Sequence, residues 1–476
     1  MAAGGDGTSQ GADAAVALAD WISRASFSDL AERDVIATRK IVFDTLATLL
    51  AGSSEPPFAD LAAFYVAEGG RAESSILVHG GRVPARHATI VNSAMARALD
   101  FDDAHEAAIV HTGAPIVPAA LAVAERIGGA SGRELMTAVA VAQDLMIRLS
   151  LACESPPILR GRPGSYVFGT LATAAATAKL MNFDAARTLD ALGNAFLRAA
   201  GSTLGYEDGA LAQRVLQGLA AGDGVQSALL AEIGIGGAHG VLEGLGGYFQ
   251  VYEGGRYHRD RLLDDLGRVH HGTTTSLKPY PVHRGMCLDI DAALAIAREN
   301  EIDPEQIERV RARFPARFAE GMAKIGAFAP GREDPKGPVE PHFSNPWGVA
   351  VALVLGSAPI EAFTEQGVAY HRDRVLPVAR KVEGVADPEL EGRPGELGPR
   401  VVEVFLRDGR VLSQRVESGR GSPDMPLDWA DLEAKFADCA TRAARPIDAG
   451  RLREITSALR ELEQVDDVRC LCALLG

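Results

Sequence analysis

Residues 135–152, LMTAVAVAQDLMIRLSLA, and 166–183, YVFGTLATAAATAKLMNF, decide the fold, because both are apolar on nearly every face. Helices of that kind sit at the centre of a bundle rather than on its surface. Working outward, AVALADWISRASFSDL (15–30) and TRKIVFDTLATLLAG (38–52) repeat their apolar residues at helical spacing. The texture changes after about His271, where Pro becomes frequent and β-like runs appear: IERVRARF (307–314), KVEGVA (381–386) and VVEVFLRDGRVLSQRV (401–416). In the last run Asp408-Gly409 stands between two alternating stretches, a hairpin signal. MPLDWADLEAKFADCA (425–440) and DAGRLREITSALRELE (448–463) return to helical spacing, with Asp428 and Asp448 placed to start helices. The expected architecture is mostly α: a large all-helical domain built from both chain ends, 1–273 and 419–476, with a smaller α+β lid domain inserted at 274–418. No repeat of fixed period points to a solenoid.

The composition agrees. A chain of 476 residues exceeds one simple core, and 47% hydrophobic with 23% charged residues is ordinary for a globular protein. A formal charge of −15 argues against nucleic acid and anionic membranes as partners, since both are held by clustered Lys and Arg. Five scattered cysteines without CxxC spacing suit a reducing compartment, so the expected location is the cytoplasm. Met1–Ala15 has no basic and apolar halves of a signal peptide and is expected to be a disordered leader.

The densest chemistry lies in ALDFDDAHEAAIVHTGAPIVPAALAVAE (98–125), where Asp100, Asp102, Asp103, His105, Glu106 and His111 precede an apolar run. Such a cluster is either helix capping with a solvated acidic loop or a set of acid/base groups at a pocket mouth. His105 and His111 are six apart, about 120° around a helix, so they do not stack like the histidines of HExxH, and no metal site is expected. The acidic run also brings to mind the diphosphate-binding motif of all-helical prenyl-transfer enzymes. LLDDLG (262–267) lacks the third acid needed for the second motif. A second constellation is SLKPYPVHRGMCLDIDAALAI (276–296): Lys278 and His283 lie in a Pro-broken segment whose side chains can converge, and Arg284 adds a cation beside them. The alternative is a stiff lead-in to a helix with a solvated Lys. GIGGAHGVLEGLGGYF (234–249) does not satisfy GxGxxG and follows a helix, which makes a nucleotide loop a poor fit.

Taken together, IVFDTLATLLAG, the 98–125 segment, GTLATAAATAKLMNFD, SLKPYPVHRGMCLDIDAAL and FSNPWGVAVAL resemble the MmgE/PrpD family over nearly the whole chain. The resemblance implies a homodimeric enzyme that performs acid/base chemistry on a small di- or tricarboxylate without metal or organic cofactor. Dehydration is the expected reaction, with decarboxylation, epimerisation or an inactive binding relative as alternatives. Asp100 matches the first Asp of the family's DFDD motif, His111 its histidine, and Lys278 and His283 the lid pair at the same separation. The implied catalytic set is therefore Asp100, His111, Lys278 and His283. The implied substrate-binding set is Ala104, Arg162, Gln213, Arg214, Arg284 and Trp347. Four of these depart from the family pattern: Ala104 stands for a Thr, Arg162 for a pocket His, Gln213 for a Lys and Trp347 for a Tyr. On this basis His111 or His283 is the base, Lys278, Arg284 and Arg162 hold carboxylates, and Asp100 orients a histidine. Replacing Lys278 or His283 is expected to cost about 10²-fold in turnover with little loss of stability.

Overall fold

Among the described residues, seven α-helices have side-chain caps that accept from free N–H groups of the first turn, which shows why they begin where they do. Asp13, Ser131, Asp184, Ser344, Thr364, Asp428 and Asp448 start the helices Ala14–Arg24, Gly132–Leu151, Ala185–Phe196, Asn345–Leu355, Glu365–Ala379, Trp429–Thr441 and Ala449–Arg460. The structure, a computed structural model, describes residues 12–393 and 395–476. Most of the expected leader thus lies outside the described residues, but Ala14 and Ala15 at its end are helical and buried.

The helical core is assembled by close backbone approach. Gly113–Arg126, Gly132–Leu151 and Gly164–Leu180 are buried along almost their entire length, and Ala212–Glu232 packs against the last of them and against Ala85–Arg97. A Cβ on Gly218 would lie 2.1 Å from the Ile90 carbonyl oxygen, and one on Gly224 would lie 2.4 Å from that of Thr170. No side chain fits at either position, so the small residues there set the interhelical distance. In the buried helix Gly164–Leu180, the Thr170, Thr173 and Thr177 hydroxyls each donate to the carbonyl four residues back, so these three hydroxyls are paired within the helix.

The main apolar cluster takes residues from both ends of the chain. Phe43 of Glu32–Gly52 meets Phe436 at 4.9 Å between ring centroids and Trp429 at 5.6 Å, and Ile455, Leu459 and Leu471 join the same cluster. A second cluster, from Tyr280 to Leu406, belongs to an α+β region. Its sheet has the order Val382–Asp387, Ile307–Pro315, Arg400–Leu406, Val411–Val416. The first pair is parallel and the others antiparallel. Val310, Val402 and Val404 point into the cluster with the helices Arg284–Glu299 and Asn345–Leu355, while Arg309, Arg311 and Arg313 on the other face pair with Glu383, Glu403 and Asp387. That alternation is what a sheet covered on one side requires. The expected hairpin forms at Asp408-Gly409, where Gly409 has φ +89°. Among the described residues no helix is long and apolar enough to cross a membrane.

Candidate active site

Arg97 ends the helix Ala85–Arg97, and the chain then runs through a buried loop before Gly113–Arg126 begins. Asp103 holds the start of that second helix: its carboxylate accepts from Thr112 N (2.8 Å), Thr112 Oγ1 (2.7 Å) and Gly113 N (2.7 Å). Helix capping is therefore the right account of Asp103, whose carboxyl is pushed up to about 6 by burial and by its neighbour Asp102. It is the wrong account of Asp100 and Asp102. Asp100 adopts φ +49°, and its carboxylate meets Arg97 Nη1 and Lys278 Nζ (3.0 Å). Asp102 accepts from Arg97 at 2.8 Å. Burial would raise the Asp100 carboxyl, but Arg97 and then Lys278 outweigh it and hold it well below the usual carboxylate range.

Both candidate histidines donate through one nitrogen to a fixed acceptor. His111 Nδ1 lies 2.6 Å from the Asp103 carbonyl oxygen. A carbonyl can only accept, so Nδ1 carries the hydrogen and Nε2 keeps its lone pair. Arg97 Nη2 approaches that nitrogen to 3.4 Å. Burial, then the Arg97 charge, lowers His111 to about 4. His283 occupies the position just before the helix Arg284–Glu299, without a capping bond from its side chain. Its Nε2 lies 2.7 Å from Asn345 Oδ1, and Asn345 Nδ2 in turn donates to Asp289 at 2.6 Å. This leaves Nδ1 of His283 as the free nitrogen, next to Gly285. Burial lowers His283 to about 4 as well.

His111, His283, Asp100, Ala104 and Arg284 line one cavity of ≈ 180 Å³ together with Arg97, Tyr206 and Arg400. Gln213 and Arg214 line a smaller adjoining space that shares Arg97, Asp100 and Tyr206. Lys278 is fully buried behind Asp100, where it also donates to the Asp100 carbonyl at 2.6 Å. It bonds the aspartate and does not itself line the cavity, whereas the sequence reading had it holding a carboxylate. The Arg284 guanidinium is bonded to Glu106 (2.9 Å) and to the Arg420 and Gly419 carbonyls. Neither Arg162 nor Trp347 lines either space. Arg162 stacks on Tyr252 with its Cζ 3.3 Å from the ring centroid, and Trp347 is sealed in the second core, donating to the Ala362 carbonyl.

Sequence reasoning missed Arg97, Arg400 and Tyr206. Arg97 bridges Asp100, Asp102 and His111, and its only advance signal was its place three residues before the acidic run. Lys435 was missed too. From the helix Trp429–Thr441 it donates to Asp44 (2.6 Å) and to the carbonyls of Phe101 (3.0 Å) and Lys278 (2.9 Å), so the end of the chain braces both walls of the site. Among the described residues no three His, Cys, Asp or Glu side chains converge as metal ligands.

The MmgE/PrpD N-terminal domain matches residues 16–260 and the MmgE/PrpD C-terminal domain matches residues 280–461. A cis-aconitate decarboxylase-like protein of Aspergillus oryzae is 27% identical over 96% of each chain. The cis-aconitate decarboxylase of Aspergillus terreus is 24% identical, covering 96% of this chain and 95% of that protein. The human cis-aconitate decarboxylase is also 24% identical, covering 94% of this chain and 91% of its own.

Proposed function

The chain belongs to the MmgE/PrpD family, and from that premise we propose that it is a lyase moving a proton at a carbon beside a carboxylate of a small di- or tricarboxylate. The observation that carries this is the pairing, in one cavity, of two neutral imidazoles, each donating through one nitrogen to a fixed acceptor, with guanidinium groups. Guanidinium groups bind carboxylates and stabilise the negative charge that spreads onto them in the transition state. An imidazole with one nitrogen fixed presents the other to a carbon in a set orientation.

Decarboxylation is the leading form of the reaction, ahead of the dehydration expected from the sequence, because the relatives aligned along nearly their whole lengths carry that name. The bond from carbon to one carboxylate breaks, its electron pair passes into the conjugated system ending in a carboxylate held by a guanidinium, and CO₂ leaves. An imidazolium, His111 or His283, then returns one proton to carbon. The anionic substrate itself raises the histidine that meets it, so a proton is taken up on binding. Dehydration uses the same two imidazoles as base and acid.

Incubating the enzyme with cis-aconitate and related tri- and dicarboxylates in deuterated water separates the outcomes. Release of CO₂ with one deuterium at the product carbon supports decarboxylation. A new double bond without CO₂ supports dehydration. Saturable binding with neither would overturn the enzyme reading. A homodimer remains part of the proposal, as the family resemblance implies, and Leu197, Ile233 and Leu245, at 70%, 72% and 99% exposure, are apolar side chains open to a second copy. Light scattering at micromolar concentration reads it.

A further inference from the structure

Among the described residues three arginines line the cavity, Arg97, Arg284 and Arg400, and they differ in what already holds them. Arg97 Nη1 is matched by Asp100 and Asp102. Arg284 bonds through all three guanidinium nitrogens, to Glu106 and to the Arg420 and Gly419 carbonyls. Arg400 bonds only through Nη1, to the carbonyls of Leu397 (3.0 Å), Pro399 (3.2 Å) and Gly398 (3.4 Å). Its Nε is buried without a partner, 3.6 Å from Asp289 Oδ1, which is unpartnered as well. Its Nη2 has no acceptor among the described residues. The side chain is 1% exposed, and a buried cation with unmet donors is unfavourable until an anion reaches it.

The free edge of Arg400 meets the start of the helix Arg284–Glu299. A Cβ on Gly285 would lie 3.5 Å from Arg400 Nη2 and 3.4 Å from His283 Nδ1, the imidazole nitrogen that Asn345 leaves free. Gly285 is helical and its φ is not positive, so the backbone there does not call for glycine, and a helix gains from almost any other residue. What the missing Cβ supplies is room. No side chain caps this helix, and the Gly285 N–H has no acceptor among the described residues. Free first-turn N–H groups and the helix dipole attract anions. Behind the notch the two flanking groups are tied together: Asn345 accepts from His283 and donates to Asp289, which lies beside Arg400. The chain His283, Asn345, Asp289, Arg400 is thus open only on its cavity side, between Nδ1 and Nη2.

On the carboxylate reading of the site, on which this rests, we propose that Arg400 is the specificity-determining cation of the cavity. Its Nη2, with the Gly285 N–H, seats one carboxylate of the substrate and sets the atom beside that carboxylate against His283 Nδ1. Arg97 and Arg284 stay with the carboxylates of the protein that already match them.

Two measurements on the whole enzyme test this. The first is calorimetric binding of succinate and of its neutral analogue butanediamide to the parent protein and to Arg400→Gln. Succinate should bind the parent more tightly by about 10–100-fold, the scale of a hydrogen bond to a charged group, and that ratio should fall at least about 10-fold in the variant. Damage to the fold alone would weaken both ligands alike, so an unchanged ratio overturns the proposal. The second uses Gly285→Ala, which removes no charge. Succinate affinity should drop about 10-fold at an unchanged or raised melting temperature, and full affinity overturns the seat at Gly285. The functional reading fails separately. A succinate preference that collapses in Arg400→Gln, with no proton transfer at carbon in any unsaturated polycarboxylate, leaves the seat standing and removes the lyase. Turnover with an unchanged ratio keeps the lyase and removes the seat. A parent protein that binds succinate no more tightly than butanediamide overturns the seat together with the carboxylate reading.

Discussion

The two walls of the cavity solve the same problem by different means. On the helical side, Arg97 to Gly113, the candidate histidine is held by a backbone carbonyl and flanked by full charges: Arg97, Asp100 and Asp102. On the lid side, Lys278 to Gly285, the histidine is held by a side-chain amide, with Asp289 behind it. His111 is therefore governed by nearby ions as well as burial, and His283 chiefly by burial and one hydrogen bond. An ion-flanked imidazole answers strongly to a charged ligand, whereas an amide-anchored one keeps its protonation state and acts as a fixed landmark. The comparison assigns the larger chemical change to His111.

The largest expected effect follows directly. His111→Gln should lower kcat by about 10³-fold, with a melting temperature close to that of the parent protein, because the side chain is 19% exposed at the cavity and its loss strands no buried charge. Equal losses in His111→Gln and His283→Gln would break the asymmetry between the walls.

Lys278→Met comes next. It should cost about 10²-fold in turnover and also about 3–5 kcal/mol of stability, since it leaves buried Asp100 short of a partner. This reverses the expectation of little stability loss, and denaturant unfolding beside initial rates reads both. Asn345→Ala tests the lid wall: a turnover loss of about 10-fold is expected as His283 loses its orientation, and the pH profile should move while KM changes less.

The smallest effect is on stability as a function of pH. His111 stands at about 4 in the folded protein against an ordinary 6.5, so between those values the unfolded chain binds more protons. Its contribution to stability is complete above pH 6.5 and is lost as pH falls towards 4. Asp103 and Asp289, both raised to about 6 from 3.8, have the opposite sign: their contribution is complete below pH 3.8 and is lost as pH rises through about 6. The difference between the parent protein and His111→Asn isolates the histidine, and that difference should shift against the parent between pH 6.5 and 4.

What was legible in the sequence was what periodicity and turn chemistry encode. Gly132–Leu151 and Gly164–Leu180 are apolar all round because they are central, and Asp408-Gly409 marks its hairpin because Gly409 takes a positive φ. His111, Asp100 and His283 were legible as members of dense motifs, and all three line the cavity. Arg97 and Arg400 were not, since an arginine at a helix end or a strand start is ordinary and only the tertiary fold turns it inward. Arg162 misled for the converse reason. Its neighbours in sequence belong near the site, but its guanidinium is captured by Tyr252, ninety residues away, and no local pattern reports a stacking partner at that distance. Asp103 and Asp100 were indistinguishable as letters, and differ because one faces free helix N–H groups and the other faces cations.

Lys435 has a consequence for how the molecule is made. Its ammonium joins Asp44 near one end of the chain, Phe101 beside the acidic loop and Lys278 in the lid segment, 157 residues upstream. On a ribosome adding about 5–20 residues per second, roughly 10–30 s separate the synthesis of Lys278 from that of Lys435. Throughout that interval both walls of the cavity exist without their brace. Nascent chains arrested before Lys435 are accordingly expected to retain no bound carboxylate, which would withhold activity until the helix Trp429–Thr441 has been made and docked.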